Sequence, residues 1–179
     1  TSFNLVWEKV CADVFDNKLH IALGKLKLPV PLQDGYKKTA ELIDIIDKPQ
    51  WFGRREDDSF FTKESQETLR PDLIGIYNVD GQSVFVIFDA KYYCIQLEEN
   101  KALRGQPGVG DVTKQYLYQL AYGNFIKDHG INGVKNCFLM PTEKDEVVDL
   151  GYARMPMLEG LNLENISVRL MPARFMYHC

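Results

Sequence analysis

Two aspartates and a lysine stand where apolar segments begin and end. Asp72 follows Pro71 at the start of the segment DLIGIYNV, and Asp89 and Lys91 come at the end of VFVIFDAKYY. An unpaired buried charge costs several kcal/mol, on the order of the net stability of a whole domain. Two adjacent carboxylates suit Mg²⁺ or Mn²⁺, which binds one or two carboxylates together with a substrate phosphate. These residue types indicate metal-assisted chemistry on a phosphate, provided that the chain folds them together.

The two apolar segments are predicted to form an antiparallel hairpin. Both are rich in β-branched and aromatic residues, and Asp80-Gly81 between them is a strong signal for a two-residue turn. Counting outward from such a turn brings Asp72 opposite Asp89. Opposed Cβ atoms lie about 4.5–5.5 Å apart on one face, and Lys91 shares that face because side chains alternate along a strand. The turn alone thus predicts that three ionisable groups converge.

Two interpretations of this convergence are open. Like charges placed directly opposite each other destabilise a sheet, and a divalent cation would turn their repulsion into coordination. Alternatively, Asp72 only caps or ends a strand after Pro71, while Asp89 and Lys91 form a solvated strand end. The register favours the cation, because it places the two carboxylates directly opposite each other.

A first amphipathic helix is predicted over residues 3–15. Its apolar residues recur at helical spacing and Ser2 is a plausible N-cap; we expect the buried face to comprise Phe3, Val6, Trp7, Val10 and Val14. Glu8 falls at the border of this face. It is either an exposed helix glutamate or an acid that belongs to the site.

A second helix is predicted after the Gly-rich loop RGQPGVGD, from Asp111 as N-cap to about Asp128. One stripe of this helix carries Gln115, Gln119 and Tyr122. Either these side chains line a groove with the carboxylates, or the helix simply packs polar residues against the hairpin.

The same loop is not a nucleotide-binding loop. Gly105 and Gly110 have P-loop spacing, but Asp111 and Val112 replace the required Lys and Ser/Thr. We therefore expect any nucleotide hydrolysis to come from a partner protein.

The remaining pattern predicts a mixed α/β domain. KKTAELIDIID is typical of a helix, PQWFGRREDDSFF of an irregular polar and aromatic segment, and GVKNCFLMP, EVVDLGYARM and NISVRLMPARF of strands. Several cations flank the site in sequence and either contact phosphates or remain solvated surface charges: Arg54, Arg55, Arg70, Lys101, Arg104 and Lys114.

Composition excludes several classes of protein. A net charge of −4 argues against a freestanding nonspecific nucleic-acid binder, but not against a nuclease whose acidic site is neutralised by metal. No apolar run approaches the roughly 18 residues of a membrane span, so we expect no membrane association and a place in the prokaryotic cytosol. The cysteines form no CxxC pair, which disfavours a zinc site or an iron–sulfur cluster and predicts buried free thiols; they are Cys11, Cys94, Cys137 and Cys179.

The constellation Pro71-Asp72 with Asp89-Ala90-Lys91 resembles the PD-(D/E)xK nuclease superfamily. The segments VWEKVCADVF, RPDLIGIY, FVIFDAKYY and DVTKQYLYQLAY together resemble the LlaJI-type restriction endonuclease subunits, which are related to McrC. RecB-like and McrC-like nucleases usually carry a Q-x-x-x-Y motif on this helix. Here the spacing is one residue shorter, in Gln115-x-x-Tyr118 and in Gln119-x-x-Tyr122. Which glutamine serves the site is therefore left open.

The resemblance implies a restriction-endonuclease-like core, with a mixed β-sheet flanked by helices, and a metal-dependent DNA endonuclease. Asp72, Asp89 and the Ala90 carbonyl would hold Mg²⁺, or Mn²⁺ in its place, with Glu8 as a further ligand. Lys91 would act on the attacking water or the developing charge, and Gln115 would position Lys91, the water or the phosphate.

The resemblance also implies partners. They are double-stranded DNA and a McrB-like AAA+ GTPase or another DNA-recognition domain. We expect residues 1–179 to form one nuclease domain of a longer chain, since Thr1 stands where Met would begin a protein. Two alternatives are a RecB-like nuclease domain of a repair or helicase complex, and a noncatalytic scaffold that binds DNA or an NTPase.

Overall fold

The structure, a computed structural model, describes residues 2–178. Its helices are α1 (Phe3–Val14), α2 (Val109–Asp128) and the short α3 (Ala173–Met176). Its strands are β1 (Gln50–Arg54), β2 (Phe60–Glu64), β3 (Leu73–Val79), β4 (Gln82–Ala90), β5 (Gly133–Thr142), β6 (Val148–Ala153) and β7 (Ile166–Pro172).

Five of the strands form one mixed sheet, in the order β3-β4-β5-β7-β6. The outer pairs β3–β4 and β6–β7 are antiparallel, whereas β4–β5 and β5–β7 are parallel. Helix α1 packs Trp7 and Cys11 against one face of the sheet, and α2 packs Tyr122 and Phe125 against the other. The predicted mixed α/β class, a sheet flanked by helices, is confirmed.

The β3–β4 hairpin has the predicted register, with Val79 opposite Gln82 and Leu73 opposite Phe88. Asp80 and Gly81 both have positive φ angles, of 50° and 79°. Two positive φ angles are what a tight two-residue hairpin turn needs, because its backbone twist then matches the twist of the strands.

Helix α1 begins after Ser2 as predicted, but its buried face is different. Phe3 and Val6 are exposed, and the fully buried side chains are Trp7 and Cys11. The helix is apolar on more than one side, so the spacing of its apolar residues does not select the face that packs. Glu8 lies about 80° from the middle of the observed face, nearer than predicted.

The N-cap of helix α2 lies three residues before the predicted one. Gly108 is the N-cap, and Asp111 stands inside the first turn, where its Oδ2 accepts a hydrogen bond of 3.0 Å from the Gly108 N–H. The carboxylate therefore satisfies a free N–H of the helix terminus from within the helix.

The helix predicted for residues 37–47 is wrong, and the structure decides the next segment, which the pattern left undecided. KKTAELIDIID contains only a short 3₁₀ turn, Leu42–Ile45, because its backbone bonds to residues 21–24 instead: Leu23 N–H donates to Ala40 O and Gly24 N–H to Lys38 O. The next segment forms the antiparallel hairpin β1–β2, apart from the main sheet.

The thiols follow the prediction in part. Cys11 and Cys137 are buried and free, whereas Cys94 is free but exposed, and Cys179 lies outside the described residues. Over residues 2–178, none of the helices combines the length and apolar character needed to cross a membrane.

Candidate active site

The carboxyl groups of Asp72 and Asp89 lie together at the edge of the sheet. Asp89 sits near the end of β4 on the face that α2 covers, together with Phe85 and Ile87, and Asp72 immediately precedes β3. Asp72 Oδ2 accepts a hydrogen bond of 2.9 Å from the Ala90 N–H. The turn between the strands therefore controls the distance between the two acids, as the register predicts.

The paired acids hold protons more tightly than free aspartates do. Burial raises the pKa of Asp89 to about 7, with a further increase from the charge of Asp72 and an opposing effect of Lys91. Burial also raises the pKa of Asp72, again against Lys91. In the absence of a cation, the pair is close enough to share a proton near neutral pH.

Lys91 is held between two acids. Its Nζ lies 2.9 Å from Asp89 Oδ2 and 3.4 Å from Asp111 Oδ1. Burial alone would lower the pKa of Lys91, but the charges of Asp89, Asp72 and Asp111 outweigh burial and raise the pKa. Lys91 is therefore a cation at neutral pH, aimed at the carboxylate pair.

Asp111 is the acid that sequence reasoning assigned only to helix capping. Its two oxygens are divided between the Gly108 N–H and the Lys91 ammonium group. One sequence signal could have found it: Asp111 stands four residues before Gln115, so both lie on the same face of α2.

Gln115 is fully buried, and neither its Oε1 nor its Nε2 has a hydrogen-bond partner. It stands on α2 between Asp111, which contacts Lys91, and Tyr118, whose OH donates a 2.8 Å bond to Arg70 O. Both neighbours reach the carboxylate site, so Gln115 lies on a stretch of α2 that runs beside this site. A buried amide without a partner costs about 1–3 kcal/mol, which suggests that a bound group completes it.

Asp89 Oδ2 also accepts no hydrogen bond, although Lys91 Nζ lies 2.9 Å from it in an ion pair. Over residues 2–178, four buried side-chain polar atoms lack a hydrogen bond, and three of them belong to Asp89 and Gln115. Unsatisfied polarity is therefore concentrated at the predicted site.

Glu8 approaches the site from α1. Burial raises the pKa of Glu8 and the charge of Asp72 adds to this increase, whereas Arg70 and Lys91 oppose it. The helix is tied to the same end of β4, since Trp7 Nε1 donates to Leu139 O at 3.0 Å and the Lys91 N–H donates to the same carbonyl at 2.9 Å. Glu8 is thus within electrostatic reach of the carboxylate pair.

Gln119 and Tyr122 have hydrogen-bond partners away from the carboxylate pair. Gln119 Oε1 accepts hydrogen bonds from Asn136 Nδ2 at 2.9 Å and from the Glu164 N–H at 3.1 Å. The Tyr122 OH donates to Leu42 O inside the core. The tyrosine beside the site is Tyr118: burial raises its pKa, and the charges of Asp89 and Asp72 add to the increase.

The donors at the site suit a hard cation that keeps part of its water shell. Among the described residues, no group of three or more His, Cys, Asp or Glu side chains is placed to hold a metal ion, so Glu8 does not complete such a group with Asp72 and Asp89. Mg²⁺ does not need one, since it commonly binds one or two carboxylates and completes its shell with waters and phosphate oxygens. The oxygen-only pair Asp72 and Asp89 fits this requirement.

Comparison with known proteins agrees with the constellation. The model of the LlaJI restriction endonuclease family matches residues 1–166. The chain is 30% identical over 140 residues to the Type II restriction enzyme BsuMI component YdjA of Bacillus subtilis (strain 168), an alignment that covers 78% of this chain and 24% of that protein. The chain thus spans about a quarter of the length of this relative. No solved structure matches it. The chain belongs to the LlaJI restriction endonuclease family.

Proposed function

We propose that this chain is the DNA-cleaving domain of a restriction enzyme and hydrolyses phosphodiester bonds of double-stranded DNA with Mg²⁺, or with Mn²⁺ in its place. The observation that carries the proposal is the meeting of the buried Asp89 with the partly buried Asp72 and Lys91, the residues of the PD-(D/E)xK pattern. Membership in a restriction endonuclease family supports it independently.

Asp72, Asp89 and the Ala90 carbonyl would hold the metal ion, with Glu8 as a direct or water-mediated ligand. When bound, the ion would supply a Lewis acid that activates water and stabilises charge on the phosphate. Binding would also replace the shared proton, so that both aspartates act as carboxylates. The raised pKa of Asp89 means that proton release accompanies binding at neutral pH.

Lys91 would orient the attacking water and neutralise the charge that develops on the phosphate oxygens. The oxygen of water adds to phosphorus and gives up one proton, the bond from phosphorus to the leaving sugar oxygen breaks, and that sugar oxygen takes up one proton. Asp111 would keep the Lys91 ammonium group at the site through its 3.4 Å contact. The free amide of Gln115 would bind the water, Lys91 or a phosphate oxygen.

We propose a McrB-like AAA+ GTPase as the partner that supplies nucleotide hydrolysis. The Gly-rich loop of this chain does not support phosphate binding, because the Asp111 carboxylate occupies the Gly108 N–H at the terminus of α2. Two alternatives use the same fold. A RecB-like nuclease domain would cleave DNA without such a GTPase, and a noncatalytic scaffold would not cleave DNA.

The test is cleavage of methylated and unmethylated plasmids by the intact enzyme with its cognate GTPase, in Mg²⁺ and in EDTA. We expect Mg²⁺-dependent cleavage that Asp72→Asn abolishes. The matched control is Asp145→Asn, which makes the same change in an exposed turn between β5 and β6.

Three outcomes would count against parts of the proposal. If the wild-type enzyme leaves both plasmids uncut, the restriction function is wrong. Cleavage that needs a free DNA end and no GTPase would favour the RecB-like alternative. Calorimetry that detects no Mg²⁺ or Mn²⁺ binding dependent on Asp89 would favour the scaffold.

A further inference from the structure

The hairpin β1–β2 exposes large aromatic side chains that the core does not use. Trp51 is 67% exposed, Phe52 63% and Phe60 55%, and no residue of either strand belongs to the buried clusters. A two-stranded hairpin is at best marginally stable in water by itself. Exposed aromatic residues on such an element indicate a binding surface.

Aromatic residues occupy both faces of this ribbon. Because opposed residues share a face, the Trp51 face comprises Trp51, Gly53, Phe61 and Lys63, and the Phe52 face comprises Gln50, Phe52, Arg54, Phe60, Thr62 and Glu64. A flat partner would cover only one of these faces. A groove can contact both.

Each face also carries a cation beside an aromatic ring. Lys63 Nζ lies 6.0 Å from the centre of the Phe61 ring on the Trp51 face, and the Arg54 guanidinium lies 5.3 Å from the centre of the Phe60 ring on the Phe52 face. Three acidic residues lie at the tip, Glu56, Asp57 and Asp58, where Asp58 pairs with Arg54 at 3.2 Å, and a fourth, Glu64, ends β2 at the base. The body of the ribbon, rather than its tip, therefore suits a partner with anionic walls and apolar surfaces between them.

The ribbon is anchored close to the carboxylate site. Its base is held by the Ser65 N–H donating to Pro49 O at 2.9 Å and by Thr68 Oγ1 donating to Asp47 O at 2.6 Å. Arg70, two residues before Asp72, lines a cleft of about 630 Å³ together with Glu64 at the end of β2. A substrate at Asp72 and Asp89 thus lies next to the base of the ribbon.

We propose that the ribbon β1–β2 binds in the major groove of the DNA duplex beside the site of cleavage. This inference rests on the proposed function. The major groove is about 12 Å wide and admits a two-stranded β-ribbon, whereas the minor groove, about 6 Å wide, admits strands where the duplex is deformed. Lys63 and Arg54 contact phosphates, and the aromatic rings contact base edges and thymine methyl groups.

Trp51 provides a direct reporter. Acrylamide quenching of tryptophan fluorescence is measured for the intact enzyme in EDTA, with and without a short mixed-sequence duplex, and the same measurement on Trp51→Phe isolates the Trp51 signal. We expect the duplex to protect Trp51 from acrylamide. Trp7 is fully buried and contributes little to the quenched signal.

Variants separate the ribbon from the rest of the surface. Phe52→Ala with Phe60→Ala should weaken duplex binding about tenfold or more, and Lys63→Ala should reduce the slope of log K against log[salt] by about 1. The matched control is Tyr152→Ala, an exposed aromatic residue on β6 at the opposite edge of the sheet. It should leave binding unchanged.

The outcomes distinguish the ribbon from the function. Duplex binding with Trp51 unprotected would overturn the ribbon's role and leave the nuclease proposal standing. No duplex binding at all would also overturn the ribbon's role, and the plasmid cleavage assay in Mg²⁺ would then decide the nuclease proposal separately. Protection of Trp51 that grows with protein concentration and needs no DNA would assign the ribbon to a protein–protein contact and overturn the proposal.

Discussion

Replacing Asp89 with Asn should stabilise the metal-free protein at neutral and alkaline pH. The fold holds Asp89 against Asp72 in a buried position, where burial and the neighbouring charge raise its pKa from 3.8 to about 7. An acid whose pKa is higher in the folded state than in the unfolded state binds its proton more tightly when folded. This binding contributes fully to stability below about pH 4, and the contribution is lost as the pH rises through about 7. The wild type therefore loses stability across this window in EDTA.

The size of the effect follows from the shift. A difference of about 3 pKa units corresponds to about 4 kcal/mol, which is an upper value because Asp72 and Asp89 share the proton. Asn keeps the shape of Asp and has no charge to bury. The free energy of unfolding of Asp89→Asn, relative to wild type, should therefore rise by up to about 4 kcal/mol between pH 4 and pH 8.

The assay is urea unfolding in EDTA between pH 4 and pH 8, followed by circular dichroism, with Asp145→Asn as the control that should show no such rise. Mg²⁺ at about 100 times its Kd should raise the free energy of unfolding of the wild type by about 2.7 kcal/mol, and that of Asp89→Asn by far less. A variant that is less stable than wild type throughout the range would refute the repulsion between the two acids. Equal stabilisation of both proteins by Mg²⁺ would exclude Asp89 as a ligand.

Three further substitutions test the surrounding groups. Gln115→Leu removes a buried amide that lacks hydrogen bonds, so the free energy of unfolding should rise by about 1–2 kcal/mol. Plasmid cleavage should fall about 100-fold. A loss of stability with full activity would contradict the proposed role of Gln115. Asp111→Asn keeps an acceptor for the Gly108 N–H but loses the charge facing Lys91, so cleavage should fall about tenfold with stability unchanged. Asp111→Ala also loses the acceptor, so it should in addition lower the free energy of unfolding by about 1 kcal/mol. Wild-type cleavage by Asp111→Asn would show that the ion pair is dispensable. Glu8→Gln should weaken Mg²⁺ binding about tenfold in calorimetry; unchanged affinity would remove Glu8 from the ligands.

The hairpin site could be predicted because its geometry depends on local interactions. The Asp80-Gly81 turn requires positive φ angles that these two residues adopt readily, and a two-residue turn leaves one register. Asp72 and Asp89 are then neighbours whatever the rest of the chain does. The family resemblance, which the comparison confirms, added Glu8 and Gln115 to this local result.

The choice between the two glutamines of α2 could not be made in this way. Gln115 and Gln119 lie about 40° apart around the helix, and both are compatible with one polar stripe. Only the packing of α2 against β4 and β5 separates them: Gln119 bonds to Asn136 and Glu164, and Gln115 is left buried without a partner. The same limit explains the incorrect face of α1 and the missed contact of Asp111 with Lys91.

The ribbon β1–β2 shows a different limit. Aromatic and charged residues alternate on both of its faces, so no apolar side distinguishes the strands from an irregular segment. The sequence by itself determined the carboxylate pair, since a short turn sets the register. The tertiary structure decided which helix face, which glutamine and which third acid surround the pair, because these depend on contacts between elements far apart in the chain.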